Sequence, residues 1–360
     1  MVSFTDSGSN THSSHQGAFV VSLDFELHWG VRDHMPAHGS YRNNLIGARI
    51  VIPRILQLFD RYRIAATWAT VGFLFAASRD ELDQFRPATL PVYADSRLDP
   101  YLEPIGVSEQ DDPLHYAASL IEQIRQCPNQ EIATHTFSHF CCLEPGQTPE
   151  AFAADLDSAI AIAKKRGIAL RSIVFPRNQV NLGYTRILLE KGITSYRGCE
   201  PGWMHRPIAQ RQRTASLRAA RLVDSYVRLS RPQVVPWSHL HEPGGLCNVR
   251  ASRFLAPVRR ALKPFEQVRL LRIKREMESA ARQRGIFHLW FHPHNLGINV
   301  EENLYFLEAV LKCFSLLRDR HGMSSLSMSE AAEHGRNELV PAIETRLKVR
   351  VEAAAAKMSA

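Results

Sequence analysis

The sequence predicts an α/β fold, a parallel (β/α) barrel with two insertions, and three observations carry that expectation. Ala18-Phe19-Val20-Val21 is a continuous apolar run of the kind a strand shows when a parallel sheet buries both its faces. Strand-like and helix-like stretches then alternate along most of the 360 residues. Polar residues capable of chemistry gather where the predicted strands end, as barrel folds require. Neither GxGxxG after the first strand nor GxxxxGK[ST] anywhere is present. That disfavours a doubly wound nucleotide-binding sheet.

Taken in order, the first strand ends in "SLDFELHWG", whose Asp24 and Glu26 share a face if the extended backbone continues. Gly47 to Tyr62 follows with helical spacing of Ile50, Val51, Ile55, Leu58 and Phe59, and Pro53 as an early-turn residue or kink. "IAATWATVG" reads as the second strand. Leu114 to Cys127 is helical through Leu120, Ile121 and Ile124, and "QEIATH" is the strand it feeds. Thr148 caps the next helix, with Pro149 in its first turn, Phe152, Leu156 and Ile160 as its stripe and Gly167 as its stop. "RSIVFP", "SYR" and "GIFHLWFHPHN" are further strands, with "YTRILLEKGI" a helix between the first two. A helix from Val300 to about Arg320 and a short strand and helix in "MSSLSMSEAAEH" complete the alternation. The insertions are expected at about 77–113 and 201–284, within a barrel domain of 18–337.

Residues 1–17, rich in Ser, Thr, His and Gly, lack the basic and apolar regions of a secretory signal and read as a disordered tail. Residues 338–360 form an Arg, Glu and Ala-rich C-terminal tail. No stretch reaches the ~18 apolar residues of a membrane span. A cytoplasmic protein is expected, with peripheral membrane contact as a further option. Six scattered cysteines without a CxxC pair suggest reduced thiols rather than a disulfide scaffold. The net charge of +8 is concentrated: residues 204–285 hold 18 Lys and Arg against five Asp and Glu. Such a segment suits a phosphorylated substrate or an anionic lipid surface, or is simply a solvated insertion. Nucleic acid is not expected, because few aromatics interleave with these charges.

His135 and His139 in "EIATHTFSHF" stand four apart just after a predicted strand, a spacing that lets two imidazoles converge on a metal such as zinc. The residue after His135 is Thr136, where the peptidase motif needs Glu, so a metalloprotease is disfavoured. "FPRNQVN" ends another strand with Arg177 and Asn178, a cation and an amide able to orient a carboxylate or bind substrate. "LWFHPHN" ends the last strong strand with His292 and His294, placed for proton transfer.

Together these motifs resemble the polysaccharide deacetylase family of carbohydrate esterases. "LDFE" is similar to that family's acid-pair motif, in the variant with one residue between the acids. His135-Thr136-Phe137-Ser138-His139 matches its H-[ST]-x-x-H motif, and Trp290-Phe291-His292 stands where the family has Leu-x-His. "FPRN" echoes its Arg-Pro motif in another order, and Trp203 in "YRGCEPGW" stands in for its Asp-Trp motif. The resemblance covers about 18–335 without the insertions. It implies a distorted (β/α) barrel of the polysaccharide deacetylase type.

The residues alone leave open which acid binds metal. The resemblance gives Glu26, His135 and His139 to a divalent metal, zinc first, and makes Asp24 the base, oriented by Arg177, with His292 as the acid. Asn178, Trp203, Trp290 and His294 are then expected at the substrate. The expected activity is removal of an acetyl group from an N- or O-acetylated sugar, an intermediate of polysaccharide or glycolipid assembly, phosphate- or lipid-linked. The alternatives are hydrolysis of a non-sugar amide, and a catalytically silent glycan-binding module on the same scaffold.

Overall fold

Every residue of β1 (Ala18–Phe25) is buried, and the strand has parallel neighbours on both sides. The computed structural model describes residues 16–209, 212, 214–226, 233–242 and 244–337. The tails expected at 1–17 and 338–360 therefore lie, apart from Gln16 and Gly17, outside the described residues. On one side of β1 runs β8 (Ile286–Phe291). On the other, β9 (Ser324–Leu326) pairs along its first half and β2 (Ala66–Thr70) along its second. The strand order is β6-β5-β4-β3-β2-β1-β8-β7, with β3 (Gln130–Thr134), β4 (Ser172–Ile173), β5 (Ser195–Tyr196), β6 (Cys247–Asn248) and β7 (Arg253–Phe254), and every pairing is parallel.

The two outermost strands belong to one short piece of chain. Val249 and Ala251 donate their backbone N–H groups to Tyr196, the last residue of β5, and to Gly198 just past it, and Ser252 donates to His288 of β8. Residues 247–254 therefore act as a single stave that joins both edges and curls the sheet into a distorted barrel. This corrects the expected extent of the second insertion. Residues 201–284 include that stave and also α7 (Glu266–Gln283), which packs against α8 (Val300–His321). A two-residue strand pattern carries no periodicity, so the stave cannot be read from sequence.

The basic segment is also less exposed than its composition implies. Arg253, Arg269 and Arg272 are buried. Arg253 bonds Asp224 of α6 (Ala215–Tyr226) at 3.0 Å and Glu276 of α7 at 2.6 Å, and Arg269 pairs with Glu266. These charges are spent inside the protein, tying α6 to α7.

The helices cover the sheet as their apolar stripes direct. In α1 (Arg42–Tyr62), Leu45, Ala48, Ile52, Ile55 and Phe59 face the core at helical spacing, whereas Ile50, expected on that stripe, is exposed on the opposite side. Helix α4 (Pro149–Lys165) starts as expected: the Thr148 hydroxyl accepts the Ala151 N–H, Pro149 occupies the first turn, and Gly167 follows with φ +72°. Residues 77–113 carry α2 (Arg79–Gln84) and 3-10 turns at Ser96–Leu98 and Pro100–Leu102. Helix α3 (Ala118–Gln126) leads from there into β3, and α5 (Thr185–Glu190) into β5.

Helix α1 crosses the turn after β8 at a pair of glycines. A Cβ on Gly47 would lie 1.8 Å from the Gly297 carbonyl oxygen, a backbone atom that cannot step aside. Gly47→Ala is therefore expected to cost about 1–3 kcal/mol of overpacking, read as a lower denaturant midpoint at unchanged slope.

Candidate active site at the barrel mouth

Because all the strands run parallel, their C-terminal ends open on one face, and the predicted site residues lie there. Asp24 is the penultimate residue of β1 and Glu26 follows the strand; both are buried. His135 and His139 follow β3, Arg177 and Asn178 follow β4, and His292 and His294 follow β8. Five of the nine non-glycine residues with positive φ among those described sit at this mouth: Leu27, Thr136, His139, Arg177 and Asn178. Backbone strain of this kind persists only where surrounding contacts impose it.

For the histidine loop, those contacts come from α4. Buried Asp155 accepts the backbone N–H groups of Phe137 at 2.7 Å and Ser138 at 3.1 Å, and the Ser138 hydroxyl. Burial pushes the Asp155 carboxyl up to about 6, against these hydrogen bonds. Thr136 Oγ1 accepts the Phe140 N–H at 2.7 Å. So held, the loop turns both imidazoles toward Glu26, whose Oε2 is 3.3 Å from His135 Nε2 and 3.2 Å from His139 Nε2. His135 Nδ1 donates to the Val174 carbonyl at 2.8 Å, which fixes the tautomer and leaves the Nε2 lone pair facing inward. That Nε2 is buried and has no hydrogen-bond partner among the described residues. Burial lowers the His139 imidazole to about 3, so its ring is neutral.

These donors fit a metal. Two ligands on a tetrahedral ion with bonds of ~2.0–2.1 Å lie about 3.3 Å apart, and both separations from Glu26 Oε2 are close to that. Gly30 keeps the room: a Cβ there would fall 2.0 Å from the Glu26 carboxylate.

The other acid has a different partner. Arg197, without exposed side-chain surface, bonds both Asp24 oxygens, at 2.6 and 2.8 Å. Burial raises the Asp24 carboxyl, but the Arg197 charge, with that of His292 behind it, outweighs burial and holds it below its ordinary value. Arg197 also donates to Ser22 Oγ at 3.0 Å and to Asn178 Oδ1 at 3.0 Å, and its guanidinium lies 4.2 Å from the Trp290 ring centre. Ser22 in turn bonds His288 Nε2 at 2.8 Å, and His288 Nδ1 donates to the Val249 carbonyl at 2.9 Å. Burial, with Arg197 nearby, lowers His288 to about 3. This neutral imidazole therefore accepts the Ser22 hydroxyl proton.

This arrangement corrects one expected role. Arg177 does not orient Asp24; it pairs with Asp33 at 2.6 Å, at a left-handed turn residue on the rim. Arg197, from "SYRG", reaches Asp24 across the barrel interior, because curling sets β5 opposite β1 although four steps separate them in the sheet. Its only sequence signal was a cation at a strand end. Asn178 and Trp290, expected at the substrate, contact Arg197 instead, and the Trp290 Nε1 donates to Glu200 at 2.9 Å. His294 is buried with Nε2 3.9 Å from Glu26 Oε1. His292 Nε2 lies 3.4 Å from Glu26 Oε1 and 3.6 Å from Asp24 Oδ2, facing both acids while its ring stays partly exposed. Trp203 is 67% exposed and lines a cleft of about 410 Å³ beyond β4, β5 and β6, together with Glu200, His205, Arg206 and Arg250.

Replacing Arg197 by Met leaves Asp24 buried without its cation, which is expected to cost about 3–5 kcal/mol. In the Arg197→Met/Asp24→Asn double variant the cost should be smaller than the sum of the singles, measured by chemical denaturation.

No protein-family model and no curated protein sequence matches the chain. Similar solved structures include a "putative polysaccharide deacetylase" from Mycobacterium smegmatis, with TM-score 0.52, 14% identity and coverage of 91% of this chain and 93% of that one. A GH57-type branching enzyme from Pyrococcus horikoshii has TM-score 0.50 and 12% identity, over 87% of this chain and 69% of that one. At these identities the likeness is one of architecture. The curled parallel sheet, closed by the 247–254 stave and carrying its polar residues at one mouth, is the distorted (β/α) barrel of the polysaccharide deacetylase type.

Proposed function

We propose that this chain is a metal-dependent hydrolase that removes an acetyl group from an N- or O-acetylated sugar. The observation that carries the reading is the pairing of two different carboxylates at one mouth: Glu26 facing two imidazoles, and Asp24 held ionised by Arg197. A divalent ion, zinc by the nature of the donors, would be held by Glu26, His135 and His139, and would supply Lewis acidity to the acetyl carbonyl and to water. Asp24 would take the proton of the attacking water as its oxygen bonds the carbonyl carbon. His292, beside both acids, would give a proton to the departing nitrogen or oxygen, so that acetate and the free amine or hydroxyl leave. Arg197, positioned by Ser22, Asn178 and Trp290, would keep Asp24 in register throughout.

Trp203, an exposed indole on the cleft beyond β4, β5 and β6, offers a flat apolar surface next to polar groups and accords with a sugar as substrate. Asp24, Glu26, His135, His139 and His292 do not line that cleft, which meets the site through Glu200 and its bond with Trp290. Arg206 and Arg250 on its wall favour a phosphate-bearing form, such as a phosphate- or lipid-linked intermediate of polysaccharide or glycolipid assembly. No helix among the described residues is long and apolar enough to cross a membrane. Action on a cytoplasmic intermediate, at a membrane surface or free, accords with this reading.

The test is acetate release from acetylated sugars, nucleotide sugars and lipid-linked sugars, with chelated protein as control. Chelation should abolish release and added Zn²⁺ restore it; release that survives chelation would exclude the reading. Asp24→Asn and His292→Gln should keep the metal while kcat falls about 10²–10⁴-fold. Glu26→Ala and His135→Ala should lose the metal held at Glu26 and the activity together, whereas a silent binding module would retain its glycan affinity. Gly30→Ala should displace the Glu26 carboxylate and lower bound metal with little change in circular dichroism.

A further inference from the structure

His28 follows Glu26 by two residues, yet its ring meets His115, in the loop before α3, instead of the Glu26 donors. The His28 Nδ1 and His115 Nε2 atoms are 2.8 Å apart, with the rings edge to face. Glu103 Oε1 completes a triangle, 3.4 Å from His28 Nδ1 and 3.7 Å from His115 Nε2. Both histidines are buried and Glu103 is partly so.

The outer ring nitrogens settle what the inner ones present. His28 Nε2 lies 2.8 Å from the Met35 carbonyl and His115 Nδ1 2.6 Å from the Asp112 carboxylate. A carbonyl and a carboxylate only accept, so both outer nitrogens carry the hydrogen. In the neutral rings the inner nitrogens are then two lone pairs facing each other at hydrogen-bond distance, with a carboxylate oxygen as third acceptor. Three converging acceptors require something positive between them, either a proton on the His115 ring, which burial pushes down but the Asp112 and Glu103 carboxylates raise above its ordinary value, or a metal ion. The two separations to Glu103, 3.4 and 3.7 Å, are near the ~3.3 Å edge of a tetrahedral zinc site, whereas the two nitrogens, 2.8 Å apart, would open by about 0.5 Å to take an ion. Ligating histidines characteristically donate their other N–H to a carbonyl or carboxylate, as both do here.

We propose that His28 Nδ1, His115 Nε2 and Glu103 Oε1 form a second metal site, for a divalent cation of the zinc type. Its ligands come from two separate pieces of chain, the turn after β1 and the segment leading to α3. Those pieces are also joined by the His28 N–H to the Leu114 carbonyl, Trp29 Nε1 to the His115 carbonyl at 2.9 Å, and Arg32 to the Leu98 carbonyl. The ion fastens the 99–115 segment against the turn that continues from Glu26. Its role is structural, since both histidines are buried and the ion would tie two separate pieces of chain together.

The test is Zn²⁺ titration by calorimetry into metal-stripped full-length His135→Ala/His139→Ala protein, which leaves the second cluster intact. One equivalent should bind, raise the thermal midpoint and slow proteolysis within 77–113. Adding His115→Gln should remove that equivalent, and Asp112→Asn should weaken it about 10–100-fold. Absence of binding in the folded double variant, or binding indifferent to His115→Gln, would overturn the proposal and leave one shared proton as what bridges the rings. Metal counts on the otherwise unaltered chain give an independent reading. Two equivalents falling to one in His115→Gln are expected. A single equivalent that His115→Gln removes but His135→Ala spares would support this site and exclude metal at Glu26; a single equivalent lost only with His135→Ala would do the reverse.

Discussion

A guanidinium buried completely inside a barrel is costly, and the position of Arg197 governs much of what surrounds it. Removing two charges from water costs several kcal/mol per ion, which is recovered only when geometry and remaining hydrogen bonds are well satisfied. Here the bidentate pair with Asp24, the bonds to Ser22 and Asn178, and the Trp290 face together meet that requirement. Ser22 can accept from Arg197 because it donates to His288, and His288 can accept because its other nitrogen is committed to Val249. Donation runs outward from Arg197, on one side to Asp24 and on the other through Ser22 and His288 to the Val249 carbonyl of the 247–254 stave. Such a network contributes placement more than stability: it keeps one carboxylate ionised and immobile at the strand end.

The second carboxylate is set by opposite means. No arginine among the described residues is bonded to Glu26; its oxygens face His135, His139 and His292. Burial raises its carboxyl, yet the histidines outweigh burial and hold it well below the ordinary value. Two acids two residues apart thus differ in environment, one neutralised by a fixed guanidinium and the other facing donor atoms with capacity to spare. Asp155 extends the division of labour, since its carboxylate forms the histidine loop without entering the site. The strained dihedrals of Thr136 and His139 are maintained by those bonds.

The chain between β2 and α3 shares the same mouth. His28 and Glu26 leave β1 almost together, so whatever holds the 99–115 segment also bears on the turn carrying Glu26. Loop attachment and site geometry are mechanically linked through three residues of backbone.

Local patterns already determine much of the protein. Apolar runs, the Thr148 cap and helical stripes fixed the order of strands and helices, because each is decided by neighbours within about four residues. The strand ends that carry Asp24, Glu26, His135, His139 and His292 were readable for the same reason, and parallel strands then had to deliver them to one face. What crosses the barrel was not readable. Arg177 and Arg197 are both cations just past a strand, and only the curl of the sheet decides that the second meets Asp24. Ile50 stands outside the buried stripe of α1, which packing against the sheet selects. The closing stave is too short to show a period, and His28, Glu103 and His115 are too widely spaced to form a motif. Sequence determined which chemistry each strand end could offer; tertiary structure chose the partners, because distances across a closed sheet depend on its curvature and not on separation along the chain.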